Sequence, residues 1–168
     1  MSKVVVSRRS TWEDRWREPT VEQLLADLKD HHRTPIEWLL EHAHNLGGVE
    51  QHLRWYGKAW KWTLELTFSD AEGQDLGTLA YIVPSPERPL VCVSLDADTY
   101  DQLPMRRLNK YIREGLRSAK RAVTLYWASW TPTSASDAEH LFDLLKRKHR
   151  LRRGESSQQQ QQQQKKKG

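Results

Sequence analysis

The longest strict alternation in the chain runs from Trp60 to Phe68. Trp60, Trp62, Leu64, Leu66 and Phe68 point one way, and Lys61, Thr63, Glu65 and Thr67 the other. A period of two predicts a half-buried β-strand, one face on a core and one toward water. Leu53, Arg54, Trp55 and Tyr56 precede it, and a tight antiparallel turn at Gly57 and Lys58 would pair the two runs. Further strands are predicted over residues 76–83, 90–95 and 122–130. In the last, Val123, Leu125 and Trp127 share one face, and Thr124, Tyr126, Ala128 and Trp130 the other. Prolines at 84, 86 and 89 mark one connection, because proline cannot donate to a ladder.

A helical period appears on both sides of this block. Thr20 and Gln23 have capping-box spacing ahead of Val21, Leu24, Leu25 and Leu28. A second helix is predicted from Thr34 as cap and Pro35 as first residue, with Ile36, Leu39, Leu40, Ala43 and Leu46 buried and Gly47 and Gly48 as the stop. A third, over residues 104–120, presents Leu108, Tyr111, Ile112, Leu116 and Ala119, with Gly115 letting it lie close on the sheet. A last helix starts at Ser136, with Glu139 as its capping partner, and buries Ala138, Leu141, Phe142 and Leu145. The order α-α-β-β-β-β-α-β-α predicts a two-layer α+β domain. Its antiparallel sheet would have about five strands, with helices mainly on one face.

Composition adds boundaries. The 168 residues suit one domain, here residues 20–153, preceded by an arm over 1–19. Ser156 and Ser157, seven glutamines and Lys165, Lys166 and Lys167 follow Gly154; this stretch has no apolar surface to bury, so 154–168 reads as a disordered tail or at most a helix extension. The net charge of +5 belongs to the C-terminal end. Lys146, Arg147, Lys148, Arg150, Arg152 and Arg153 cluster there without an acid, whereas residues 1–145 carry a slight acidic excess. No apolar run is long enough for a membrane span, and Val4 to Val6 is too short for a secretory signal. With Cys92 alone no intrachain disulfide can form, and a cytoplasmic setting is expected.

The run Trp55 to Trp62 (Trp-Tyr-Gly-Lys-Ala-Trp-Lys-Trp), with Leu79 to Pro84 (Leu-Ala-Tyr-Ile-Val-Pro), resembles the centre of the bacterial "domain of unknown function 3788" family. Ala119 and Lys120, Trp127, and Leu144 to Lys148 fall where that family has similar residues, so the likeness covers about residues 20–150. The family often has glycine before the second tryptophan, where this chain has Lys61. The resemblance implies a fold and no activity. The element order is more distantly similar to YdhG-like domains, compared in fold with frataxin, for which iron handling has been proposed; a shared fold does not carry function.

Three candidate chemistries follow. A sheet with helices on one face leaves the other free. That face would carry Tyr56, Lys61, Glu65, Tyr126 and Trp130, with Arg54 nearby. Aromatics with a few charges suit an organic ligand or a second subunit; equally, the arm could cover them through Trp12 and Trp16. Second, Arg106, Lys110, Arg113, Arg117 and Lys120 recur at helical spacing, a stripe that would bind nucleic acid phosphates. Third, Asp96 and Asp98 could hold a hard cation, although an aspartate beside a helix start is more often a cap. The histidine pairs lack chelating spacing, and no metal or other cofactor is expected. Cys92 alternates with valines and reads as a buried residue. No nucleophile–base motif is present, so the reading leans away from an enzyme. The first expectation is a non-enzymatic module binding a small molecule or protein, as monomer or homodimer; nucleic-acid binding and metal or iron handling are the alternatives.

Overall fold

The computed structural model describes residues 9–166, the side chains of 155–160 aside. Val4 to Val6 of the expected arm, and Lys167, lie outside the described residues. Among the described residues six strands form one antiparallel sheet in the order β1-β2-β3-β4-β6-β5: β1 Glu50–Trp55, β2 Trp62–Ser69, β3 Asp75–Val83, β4 Leu90–Asp96, β5 Lys120–Ala122 and β6 Leu125–Trp130. The helices are α1 Val21–Ala26, α2 Asp30–His44, α3 Gly57–Trp60, α4 Ala97–Gln102, α5 Lys110–Arg117 and α6 Ala135–Lys165. The α+β architecture is therefore as the periodicities predict, with one more strand.

The core lies between one sheet face and α2, α5 and α6. Leu64, Leu66, Ile82, Val91, Val93 and Ala128 meet Ile36, Leu39, Ile112, Leu116, Leu141 and Leu145 there. A smaller cluster of Trp12, Leu24, Trp62, Val83 and Cys92 closes the end of the sheet where β2 begins and β3 ends. Trp12 is held by donating from Nε1 to Trp60 O, 2.8 Å, and Trp62 Nε1 donates to Asp14 O, 2.7 Å. Trp16, in contrast, is exposed, with the Arg15 guanidinium over its ring.

Several boundaries differ from the sequence reading. The capping box of Thr20 and Gln23 forms as expected, but α2 begins at Asp30 and takes Pro35 into its interior. Burial of Ile36, Leu39, Leu40 and Ala43 outweighs the one backbone hydrogen bond that proline lacks. Lys61 adopts φ 53°, which breaks the strand there and turns residues 57–60 into a helical turn. The predicted strand 122–130 is a hairpin, with Ala122 paired to Leu125. Val123 sits in its turn at φ 58°, a conformation that β-branched residues rarely adopt. Ser134, not Ser136, caps α6, accepting from Asp137 N. That helix runs on through the glutamines to Lys165, so the C-terminal stretch takes the form of a helix extension.

The predicted helix 104–120 divides. Asp96 caps α4, Pro104 follows it, a 3-10 turn spans Met105–Arg107, and Asn109 caps α5. Gly115 lies on α5 directly over Trp130, whose Nε1 donates to Tyr111 O at 3.0 Å.

Candidate functional site

The sheet is not continuous from edge to edge. Strands β3 and β4 pair only from Tyr81–Cys92 to Val83–Leu90. Below Tyr81 the β2–β3 register shifts: Leu66 pairs Ala80, but Thr67 pairs Thr78, leaving Leu79 as an extra residue. A bulge of this kind bends its strand and re-aims neighbouring groups. Here it turns two successive carbonyls, of Thr78 and Leu79, toward one point. Lys148 of α6 occupies that point. Its Nζ donates to Thr78 O at 2.5 Å, Leu79 O at 3.1 Å and Ser94 O at 2.6 Å. One side chain thus supplies the donors that missing rungs between β3 and β4 would have supplied.

A cleft of about 270 Å³ opens at this split. Tyr81 and Trp127 form its aromatic walls, Thr78 and Ser94 its sides, and Lys148 and Thr99 line its depth. Asp96 and Arg152 pair at its margin, 3.0 Å apart. Asp96 Oδ1 also accepts from Thr99 N, 2.7 Å, so this aspartate is both helix cap and ion-pair partner. Thr99 is fully buried, yet its hydroxyl has no hydrogen-bond partner among the described residues. Beyond the cleft the aromatic surface continues. Trp60 lies 5.2 Å from Tyr81 and 6.2 Å from Trp127 between ring centroids, and Tyr56 lies 5.8 Å from Tyr81. Tyr56 donates its hydroxyl to Glu65, which also accepts from Thr78 Oγ1 at 3.0 Å.

Two groups are shifted by this environment. Burial, reinforced by Arg152 and opposed by Asp96, pushes the Lys148 amine down to about 7. Burial and then the bond to Glu65 push the Tyr56 phenol upward.

Of the five residues expected on the open face, Tyr56 and Glu65 lie in this assembly. The other three do not. Lys61 turns away at its positive φ, and its Nζ stands 4.5 Å over the Trp12 ring. Tyr126 and Trp130 pair with Leu95 and Val91 and share their inward face. Tyr126 stacks on Tyr100 of α4, centroids 4.3 Å apart, and Trp130 is buried under α5. Trp127 and Leu125, of opposite parity, are the residues of β6 that line the cleft, and Trp127 is the aromatic one. Arg54 is exposed on β1.

The basic stripe assembles only in part, with Lys110, Arg113 and Arg117 together on α5. Arg106 lies in the 3-10 turn and Lys120 on β5, so no single helix face carries them all. Lys110 pairs with Glu114, 3.8 Å. Four of the C-terminal cations are engaged within the chain: Arg147 with Asp143, Lys148 as above, Arg152 with Asp96, and Arg153 donating to Ser69 O. Among the described residues no group of three His, Cys, Asp or Glu side chains is placed to hold a metal. None of the described helices is long and apolar enough to cross a membrane. The Cys92 thiol is buried and pushed up to about 12, so it is not ionised near neutrality.

Lys148 was legible only as one of six cations. Its spacing held a signal, since Leu141, Leu145, Lys148 and Arg152 recur at i, i+4, i+7 and i+11 and place a lysine on the apolar stripe. Thr99 carried no signal, because nothing in its neighbourhood of sequence foretells a buried hydroxyl.

No protein-family model, curated protein or solved structure matches this chain.

Proposed function

We propose that this protein is a non-enzymatic binding module for a small organic molecule, and that its site is the cleft at the β3–β4 split. The observation that carries the reading is the juxtaposition of Tyr81 and Trp127 with buried polar groups in one concave space. Ligand sites ordinarily join aromatic or apolar walls to precisely placed polar groups, and this cleft has both. A volume of about 270 Å³ suits a single-ring metabolite and is small for a dinucleotide. Within this proposal the likeness of Trp55 to Trp62 and Leu79 to Pro84 to the domain of unknown function 3788 family adds the expectation of a shared fold and no activity.

Trp127→Ala is the test. Native mass spectrometry of the protein as purified, followed by a thermal-shift screen of single-ring metabolites, should show retained mass or a stabilising compound. The Trp127→Ala variant should weaken that binding about fivefold or more, since loss of one aromatic wall contact costs about 1 kcal/mol or more. Binding that survives Trp127→Ala unchanged places the site elsewhere. A screen with neither retained mass nor any hit overturns the proposal.

A further inference from the structure

Resting on that reading, we infer that the cleft selects a ring-bearing monocarboxylate, with the ring between Tyr81 and Trp127 and the carboxylate toward Thr99 and Lys148. The buried ammonium at the inner end points this way. Lys148 Nζ is held by neutral carbonyls, of Thr78, Leu79 and Ser94, and the Asp96 oxygens are engaged by Thr99 N and Arg152. A carboxylate on the ligand complements the Lys148 charge, and a cation does not.

The hydrogen bonds assign roles. The three donors of Lys148 are committed to Thr78, Leu79 and Ser94 carbonyls. The ammonium therefore acts on a ligand through its charge. The direct donor is the Thr99 hydroxyl, which is fully buried, lines the cleft and has no partner among the described residues. An unmet hydroxyl in such a place is costly unless a bound group meets it.

Proton linkage gives a signature that a merely apolar cleft lacks. The groups around Lys148 are Asp96 from β4, Arg152 from α6, Thr78 from β3, Thr99 from α4, and Leu125 and Trp127 from β6. Asp96 and Arg152 are the charged ones among them. With the amine near 7 in the empty cleft, a bound carboxylate favours the ammonium and raises it. Binding above neutrality then takes up a proton, and affinity falls with rising pH, by up to about tenfold per unit.

Calorimetry with benzoate, 4-hydroxybenzoate and indole-3-carboxylate, each against its neutral carboxamide, decides the matter at pH 6.5 and 8.5 in buffers of different ionisation enthalpy. The expected result is carboxylates at least tenfold tighter than carboxamides, weaker at pH 8.5, with proton uptake. Thr99→Val, which keeps the shape and removes the hydroxyl, should weaken carboxylates several-fold while leaving the melting temperature unchanged or higher. Carboxamides that bind as tightly, with binding still lost in Trp127→Ala, overturn the carboxylate assignment and leave the binding-module reading standing. Carboxylate binding without proton uptake, or unaffected by Thr99→Val, also overturns it. No binding by any compound here, beside a library hit that depends on Trp127, overturns the ligand class alone.

Discussion

Gly115→Ala is expected to cost about 3 kcal/mol or more of folding stability, read as a lowered urea midpoint at unchanged slope. A Cβ at this position would stand 2.5 Å from Trp130 Cζ2 and closer still to Nε1 and Cε2. Overpacking of this kind ordinarily costs about 1–3 kcal/mol. Here the obstructing group is a buried indole rather than the end of a flexible chain. Moving it also breaks the Trp130–Tyr111 hydrogen bond, which leaves a buried N–H unpaired at a further cost of about 1 kcal/mol or more. The backbone at Gly115 is ordinary helix, so the effect is steric. Trp130→Leu should therefore recover part of the loss when combined with Gly115→Ala, and the double-mutant cycle should show a coupling of about 1 kcal/mol or more. Additive losses would mean that α5 does not rest on the indole.

Lys148→Met is expected to destabilise by about 2–4 kcal/mol near pH 8, and by less near pH 6. Methionine keeps the apolar stem but leaves the carbonyls of Thr78, Leu79 and Ser94 without their common donor. Against this, removing a buried charge relieves a desolvation cost that the wild type bears. The balance shifts with pH in a definite direction. The amine lies near 7 in the folded chain against 10.5 for an unperturbed lysine. Between those values the unfolded chain holds a proton that the folded chain has released, so wild-type stability rises with pH through this window. Below pH 7 both states are charged and the burial cost is felt in full. The rise attributable to Lys148 is about 1.5 kcal/mol from pH 7 to 8.5, with a limiting slope of roughly 1.4 kcal/mol per pH unit. Guanidinium unfolding of wild type and Lys148→Met at pH 6, 7 and 8.5 measures it. A difference between the two proteins that stays constant over this range would show that the carbonyls hold the amine fully protonated.

Both predictions concern contacts between residues far apart in sequence, and each was half visible beforehand. Gly115 on an apolar helix face already implied close packing, because a glycine there contributes no surface of its own. Which ring it meets depended on the parity of β6. The sequence offers aromatics on both faces of that strand, Trp127 on one and Tyr126 and Trp130 on the other. Alternation separates two sets without saying which is inward. Tertiary packing chose: Ala128 and Trp130 fit under α5 and Tyr126 under α4, which turns Trp127 outward. The same choice moved the candidate face away from Tyr126 and Trp130 while keeping Tyr56 and Glu65. The basic stripe falls short for a related reason. Helical spacing runs from Arg106 to Lys120 in the sequence, yet Asn109 caps α5 and Ser118 ends it, which leaves Arg106 and Lys120 outside.

The sequence by itself determined the α+β class, the alternating core of β2, the capping of α1 and the concentration of positive charge near the C-terminus. These follow from local periodicity and from the hydrogen-bonding habits of single residues, which neighbours in sequence suffice to express. Only the tertiary structure decided where β3 and β4 part, that Lys148 fills the gap, and that Thr99, Tyr81 and Trp127 share one cleft. A bulge is an agreement between two strands, and a buried ammonium is tolerable only where carbonyls from separate strands converge upon it. Neither condition is a property of any one stretch of chain.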